Sequence, residues 1–129
     1  MATTVTGASA RSAPAEGPVL TKGALRAAAR LGISNKVLAR IVGLSEASVS
    51  RMGTGAYTLT PGEKTFELAV LFVRLFRSLD ALVDGDDAAA RAWVASPNAA
   101  LGGAPLDLIQ TVSGLALVLA YLDASRAVV

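Results

Sequence analysis

WVASPNAALGGAPLDLIQTVSGLALVLAYLDASR, from Trp93 to Arg126, is the stretch that decides the fold of this chain. It opens with a loop rich in Gly, Pro and Asn and continues into a long apolar run. Adjacent glycines permit backbone conformations that other residues avoid, and a proline suits the first position of a helix. The pattern predicts a shaped loop followed by helices over 105–111 and 115–125, with Gly114 allowing a bend or close packing between them. Five residues are expected to have structural roles in this loop: Asn98, Gly102, Gly103, Pro105 and Asp107.

A longer apolar helix precedes this block. The run Thr60-Pro61-Gly62-Glu63 is typical of a helix start, with a threonine N-cap, a first-turn proline and a capping-box glutamate. The helix is predicted to extend from Pro61 to about Val83, and its apolar residues cover more than one face. Such a helix is either enclosed in a core or shared with a second subunit. Asp86 is then expected to cap a short helix over 87–95.

The spacing of small and apolar residues between Gly32 and Gly55 predicts a helix-turn-helix. Ser34 and Ser45 are suitable N-caps for its two helices, and Gly43 supplies the positive φ of the turn. The second helix of such a motif enters the major groove of DNA with its N-terminal residues on the base edges. Arg51 could contact guanine or phosphate, whereas the carboxylate of Glu46 is unfavourable beside phosphate. The candidate DNA-binding residues are Asn35, Lys36, Arg40, Ser45, Glu46, Ser48 and Arg51.

The absence of particular residue types limits the chemistry. The 129 residues include no cysteine and no histidine, which excludes disulfides, thiolate nucleophiles, Cys/His zinc sites and histidine bases. Asp84, Asp86 and Asp87 match no calcium-loop spacing and are typical of a helix-breaking turn. We therefore expect a protein that is not an enzyme and that needs no metal or cofactor.

Two further segments bear on location. The longest apolar run, Leu115 to Leu122, is far shorter than the roughly 20 residues of a membrane-spanning helix. The N-terminal residues lack the basic and apolar regions of a signal peptide. A cytoplasmic protein that does not contact membranes is expected.

Hydropathy and charge suggest partners. Hydrophobic residues make up 53% of the chain, charged residues 17%, and the mean hydropathy is +0.52. These values favour apolar surface that is buried against another chain, although alanine richness alone would also raise them. Residues 1–64 carry 8 Lys/Arg and 3 Asp/Glu, for a net +5, whereas residues 65–129 carry 4 and 7, for a net −3. The asymmetry suggests two partners of different kinds, unless so few charges are segregated by chance.

The chain divides into three segments on composition. Residues 1–18 hold few large apolar side chains and are predicted to form a disordered tail. Residues 19–59 are predicted to form the helix-turn-helix domain, and residues 60–129 are predicted to form a second helical domain. The fold class is therefore all-α.

The pattern W-V-x-x-P-N-x-A-L-G-G-x-P-L-D-L-I-x-T, which starts at Trp93, resembles the C-terminal domain of MbcA/ParS/Xre antitoxins, which are partners of RES-domain toxins. The helix-turn-helix resembles the Xre/Cro type and precedes the C-terminal pattern in the order found in that family. The resemblance, closest to ParS, covers about Gly32 to Arg126. It implies a homodimer that binds operator DNA through its N-terminal part, and it makes residues 60–129 the domain for dimerisation and toxin binding.

The resemblance also implies a mechanism. Such antitoxins inhibit RES-domain toxins, which consume NAD or use it for ADP-ribosylation, by blocking access to the NAD site. The implied toxin-binding residues lie in the final helix and tail: Tyr121, Asp123, Ser125, Arg126 and Val129. The tail itself departs from the family, because many members end in a glycine followed by a short apolar segment. The alternative function is a free-standing helix-turn-helix transcriptional regulator whose acidic half only dimerises.

Overall fold

The computed structural model describes the backbone of residues 2–127 and the side chains of residues 16–126. Within that part of the chain, all regular elements are helices, so the predicted all-α class is confirmed. The seven helices, in chain order, are α1 (Ala2–Leu31), α2 (Asn35–Val42), α3 (Glu46–Thr54), α4 (Lys64–Leu82), α5 (Asp87–Ala95), α6 (Pro105–Leu108) and α7 (Val112–Ala127).

The central element is α4, which packs against α1, α2, α5 and α7. Its side chains Phe72, Leu75 and Leu79 are fully buried. Helix α1 runs alongside α4 in the same direction, since Gly23 faces Val73 and Arg30 binds Asp80 further along both helices. One cluster of buried apolar residues extends from α1 to α7, so the helix-turn-helix and the C-terminal helices share a core.

The N-terminal segment differs from the expected disordered tail, because α1 begins at Ala2 and continues without interruption to Leu31. Gly17 is buried, and a Cβ added there would collide with the carbonyl oxygen of Leu59. This close approach allows the helix to pack already at a stretch that has few large apolar residues. At Gly17 a small side chain is what this packing requires.

Helix α4 begins at Lys64, three residues later than the sequence predicts. Gly62 adopts a positive φ of 94°, which a helix cannot contain, and Glu63 is the N-cap without a side-chain capping bond. The expected capping box between Thr60 and Glu63 is therefore wrong. These residues instead form a turn closed by the Glu63 N–H donating to the carbonyl of Thr60 at 3.2 Å.

Arg30 ties α1 to the C-terminal helices. Its guanidinium donates to Asp87 at 2.9 Å and to Asp80 at 2.7 Å, and it lies 4.8 Å from the ring centroid of Phe76. The hydrogen bond to Asp87, with support from Asp80, raises the pKa of Arg30 above its usual value. Arg91 adds two bonds from α5 to the last carbonyls of α1, those of Ala29 and Arg30.

None of the helices over residues 2–127 is long and apolar enough to cross a membrane. Within the described residues, no cluster of acidic side chains has the arrangement of a metal site. The Asp84–Asp87 turn is used structurally: Asp86 accepts from the Ala89 N–H at 3.1 Å and caps α5, as predicted, and Asp87 binds Arg30.

Candidate DNA-binding and toxin-binding surfaces

The helix-turn-helix is formed by α2, a short turn and α3. Ser34 caps α2 by accepting from the Val37 N–H at 3.3 Å, and Ser45 caps α3 by accepting from the Ser48 N–H at 3.1 Å. Gly43 ends α2 with a φ of 79°, and its N–H donates to the carbonyl of Ala39 at 2.9 Å. The two predicted caps and the glycine turn are thus present in the structure.

Apolar side chains between α2 and α3 hold the angle of the motif. Val49 of α3 is fully buried, as is Val42 of α2, and Leu38 is nearly so. Ala39 is 5% exposed, which agrees with the expectation that a small residue lets the helices cross closely. The helix-turn-helix also packs against other helices, because α2 contacts α4 and α3 contacts α1.

Some of the predicted DNA-binding residues in and before α3 already make hydrogen bonds within the chain. The Ser45 hydroxyl donates to the Ser48 hydroxyl at 3.0 Å, and Arg51 Nη2 donates to the same Ser48 oxygen at 3.2 Å. Ser45 therefore caps the helix, and Ser48 holds the Arg51 side chain. Glu46 and Arg51 are exposed. Ser50 is also exposed and lies four residues after Glu46, so it shares the face of Glu46; the helical spacing could have identified it from the sequence.

The predicted residues of α2 are all exposed: Asn35, Lys36 and Arg40. Arg40 Nη1 lies 3.4 Å from Gln110 Oε1, in the connector between α6 and α7. Arg40 therefore lies at the junction of the motif and the C-terminal helices. Lys36 is one turn nearer the start of α2 and presents its charge to solvent.

The loop before α6 is organised by Asn98. Its side-chain Oδ1 accepts from the N–H groups of Ala100 at 3.0 Å and Leu101 at 3.2 Å, and its backbone N–H donates to Gly103 at 3.0 Å. Gly102 has a φ of 83°, which explains one of the two glycines. The closed loop inserts Leu101, 8% exposed, into the core.

The end of the loop sets the direction of α7. Pro105 is buried at the first position of α6, and Asp107 follows in the same turn with an exposed side chain. Helix α7 begins at Val112 and not at Leu115, so Gly114 lies in its first turn. A Cβ at Gly114 would overlap the carbonyl of Leu108, which confirms that this glycine permits close packing.

The predicted toxin-binding residues of α7 lie on different faces. Tyr121 is half-buried and stacks on Trp93 with 6.3 Å between ring centroids. Asp123 accepts from the buried Ser78 hydroxyl at 3.0 Å, and Arg126 lies 3.4 Å from the same oxygen. The Ser125 hydroxyl donates to the carbonyl of Tyr121 at 2.9 Å. Asp123, Ser125 and Arg126 thus make bonds within the chain, and Val129 lies outside the described residues.

A different face of α7 is apolar and exposed, and sequence reasoning missed it. Leu117 is 49% exposed, and Ser113, Ala116, Ala120 and Ala124 are exposed at helical spacing around it. Because α7 is apolar on nearly all sides, its sequence pattern does not separate an inner from an outer face. We call this face, defined by Ser113, Ala116, Leu117, Ala120 and Ala124, the outer face of α7.

Comparisons with known families agree with this arrangement. Residues 10–74 match the model of the antitoxin Xre-like helix-turn-helix domain, and residues 78–127 match that of the antitoxin Xre/MbcA/ParS C-terminal toxin-binding domain. The chain belongs to the Xre/MbcA/ParS antitoxin family. A search of curated proteins found no match.

The antitoxin thus combines a helix-turn-helix with a toxin-binding domain, in the predicted order, and its partners are a toxin and DNA. The first match ends at residue 74 and the second begins at residue 78, so both include part of α4. The outer face of α7, Trp93 and the Asn98 loop all fall inside the toxin-binding match.

Proposed function

We propose that this antitoxin binds and inhibits a RES-domain toxin that consumes NAD or transfers ADP-ribose, by covering the entrance to its active site, and that it represses its own operon. The observation that carries the proposal is the exposed outer face of α7 within the matched toxin-binding domain. Contiguous exposed apolar surface is typical of a site that contacts a partner. The RES identity of the toxin comes from the sequence pattern that starts at Trp93.

Leu117 supplies the largest side chain of this face, and the small residues around it would let a partner approach the helix backbone closely. Tyr121, held by its stack on Trp93, lies at the edge of the same face. A rigid tyrosine is typical of the anchors that dominate protein interfaces. Asp123 and Arg126 instead fix the position of α7 through Ser78.

Toxin neutralisation tests this assignment. The antitoxin is co-expressed with a RES-domain toxin, and growth and cellular NAD are measured. Leu117→Glu is expected to abolish neutralisation and to weaken toxin binding by about 100-fold, because it places a charge at the centre of the contact. Lys36→Glu on α2 is the matched control and should neutralise like the wild type.

A short truncation tests whether the C-terminal tail contributes to toxin inhibition. Deleting residues 122–129 would remove Leu122, which is fully buried, and the Arg126 contact with Ser78, so it would unfold α7 as well. Deleting 127–129 leaves both in place. If the tail covers the active site, this deletion reduces inhibition more than it reduces binding.

Repression is tested on operator DNA by mobility shift. Lys36→Glu and Arg51→Ala should weaken the complex, whereas Leu117→Glu should not, because α7 lies outside the helix-turn-helix. If the wild-type protein neither copurifies with the RES toxin nor restores growth, the assignment of a RES toxin is wrong. Operator binding that persisted in that case would favour the free-standing regulator.

A further inference from the structure

We propose that Glu46 selects cytosine in the operator, by accepting a hydrogen bond from the 4-amino group of that base in the major groove. The proposal rests on the repressor part of the proposed function and deepens it, since it assigns one base to one side chain of the helix-turn-helix.

Glu46 lies where the second helix of the motif meets the bases. It is the first residue of α3, directly after the N-cap Ser45. In a helix-turn-helix, the N-terminal residues of this helix lie against base edges. Glu46 is exposed, and so are its neighbour Ala47 and, one turn later, Ser50. Both of these residues are small, so the carboxylate of Glu46 extends furthest from this part of α3.

The carboxylate of Glu46 is also free to bind. Within the described side chains, it takes part in neither an ion pair nor a hydrogen bond. The hydroxyls beside it already have partners: Ser45 Oγ accepts from the Ser48 N–H at 3.1 Å, and Ser48 Oγ accepts from the Ser45 hydroxyl and from Arg51. Glu46 is therefore an unused acceptor among side chains that hold one another.

A carboxylate distinguishes the four bases by the groups that they present in the major groove. Cytosine presents a 4-amino donor, whereas guanine presents two acceptors and thymine one, and acceptors repel a carboxylate. Adenine has a 6-amino donor, but the N7 acceptor beside it is unfavourable for a charged oxygen. The phosphates repel the carboxylate as well, so Glu46 opposes binding unless it meets an amino group. Cytosine is the base that fits this side chain.

Selection from DNA duplexes with a randomised core, bound to the full chain, tests the assignment. The wild type is expected to require cytosine at one position, with affinity about 10-fold or more lower for other bases there. Glu46→Gln should change the preference at that position to adenine, because glutamine pairs with adenine N6 and N7. Glu46→Ala should remove the preference at that position. All other positions should stay as in the wild type.

A second measurement addresses the amino group itself. Replacing the selected cytosine by a pyrimidine that lacks the 4-amino group should weaken wild-type binding by about 10-fold in fluorescence anisotropy. The same replacement should weaken Glu46→Ala much less, because that variant has lost the acceptor. Equal losses in the two proteins would overturn the proposal.

Glu63→Gln is the matched control, because Glu63 is also an exposed glutamate at the start of a helix and lies outside α3. It should leave the selected sequence unchanged. If Glu46 only stabilised the first turn of α3, its replacement would weaken binding to all duplexes alike. An unchanged order of bases in folded Glu46 variants, checked by circular dichroism, would therefore overturn the assignment while the wild type still selects an operator. A wild type that selects no sequence would contradict repression as well.

Discussion

The buried hydroxyl of Thr21 contributes to stability where α1 meets the segment that precedes α4. Its Oγ1 donates to the carbonyl of Gly17 at 2.7 Å and accepts from the Leu59 N–H at 3.0 Å. Leu59 is 1% exposed, so its N–H cannot exchange this bond for water. Thr21→Val keeps the shape and removes the acceptor, and we expect it to lower the free energy of unfolding by about 1–3 kcal/mol. Urea denaturation followed by circular dichroism measures the change.

Thr21→Ser is the matched variant, because it keeps the hydroxyl and loses one methyl group. It should retain more of the wild-type stability than Thr21→Val does. Equal losses in the two variants would mean that packing of the methyl group, and not the bond to Leu59, stabilises this junction.

Gly114 and Gly53 form a natural comparison between two helical glycines. A Cβ at Gly114 would overlap the carbonyl of Leu108, whereas a Cβ at Gly53 in α3 would meet no atom within 4 Å. Gly114→Ala should destabilise the protein by about 2 kcal/mol or more, since backbone would have to move. Gly53→Ala should be neutral or stabilising by up to about 1 kcal/mol, because alanine favours helix. Thermal unfolding distinguishes them, and equal melting temperatures would contradict the steric argument.

These residues differ in how visible they are in the sequence. Ser34, Ser45 and Asp86 could be predicted as caps, because each accepts a bond from a residue three positions later. Gly114 could be predicted to permit a bend or close packing, because a glycine beside an apolar run interrupts an otherwise favourable helix. The bond from Leu59 to Thr21 spans 38 residues, and no local pattern indicates it.

At the scale of elements, Arg30 joins α1 to both α4 and α5. Arg30→Gln removes the charge that Asp80 and Asp87 share and the contact of the guanidinium with the Phe76 ring. We expect a lower melting temperature and faster amide exchange at the end of α1, with a smaller difference from the wild type at high salt. Arg26→Gln, one turn earlier and exposed, is the control. Equal effects of the two changes would mean that general charge, and not the two ion pairs, fixes α1.

The ends of a helix were predictable where a capping residue or a turn glycine marks them in the sequence. The bounds of α2 are as predicted, because Ser34 and Gly43 are sufficient signals. The start of α4 was wrong, because Thr60, Pro61 and Glu63 suggested a cap while Gly62 took a left-handed conformation. The outer face of α7 could not be predicted, because which side of an apolar helix is buried depends on α4 and α6.

At the scale of the whole molecule, the order of the two units was predictable, but their shared core was not. The helix-turn-helix and the Trp93 pattern are each recognisable from their own residues. Ala24, Leu68 and Leu122 belong to one buried cluster although they are far apart in the chain. Contacts over such separations depend on the packed arrangement, so no local pattern in the sequence indicates the shared core.

The two partners should respond differently to salt, because charge is segregated along the chain. If DNA binds through the helix-turn-helix, the contact uses the half with net charge +5 and should weaken steeply as salt rises, since each phosphate contact releases counterions. Replacing Lys36 or Arg51 by Ala should reduce the slope of log K against log salt by about one if that residue contacts phosphate. If the toxin binds the outer face of α7, as proposed, the contact buries apolar area and its affinity should change little over the same range. Fluorescence anisotropy for DNA and calorimetry for the toxin measure both. A toxin affinity that fell as steeply as the DNA affinity would mean that charge, and not the apolar face around Leu117, governs toxin binding.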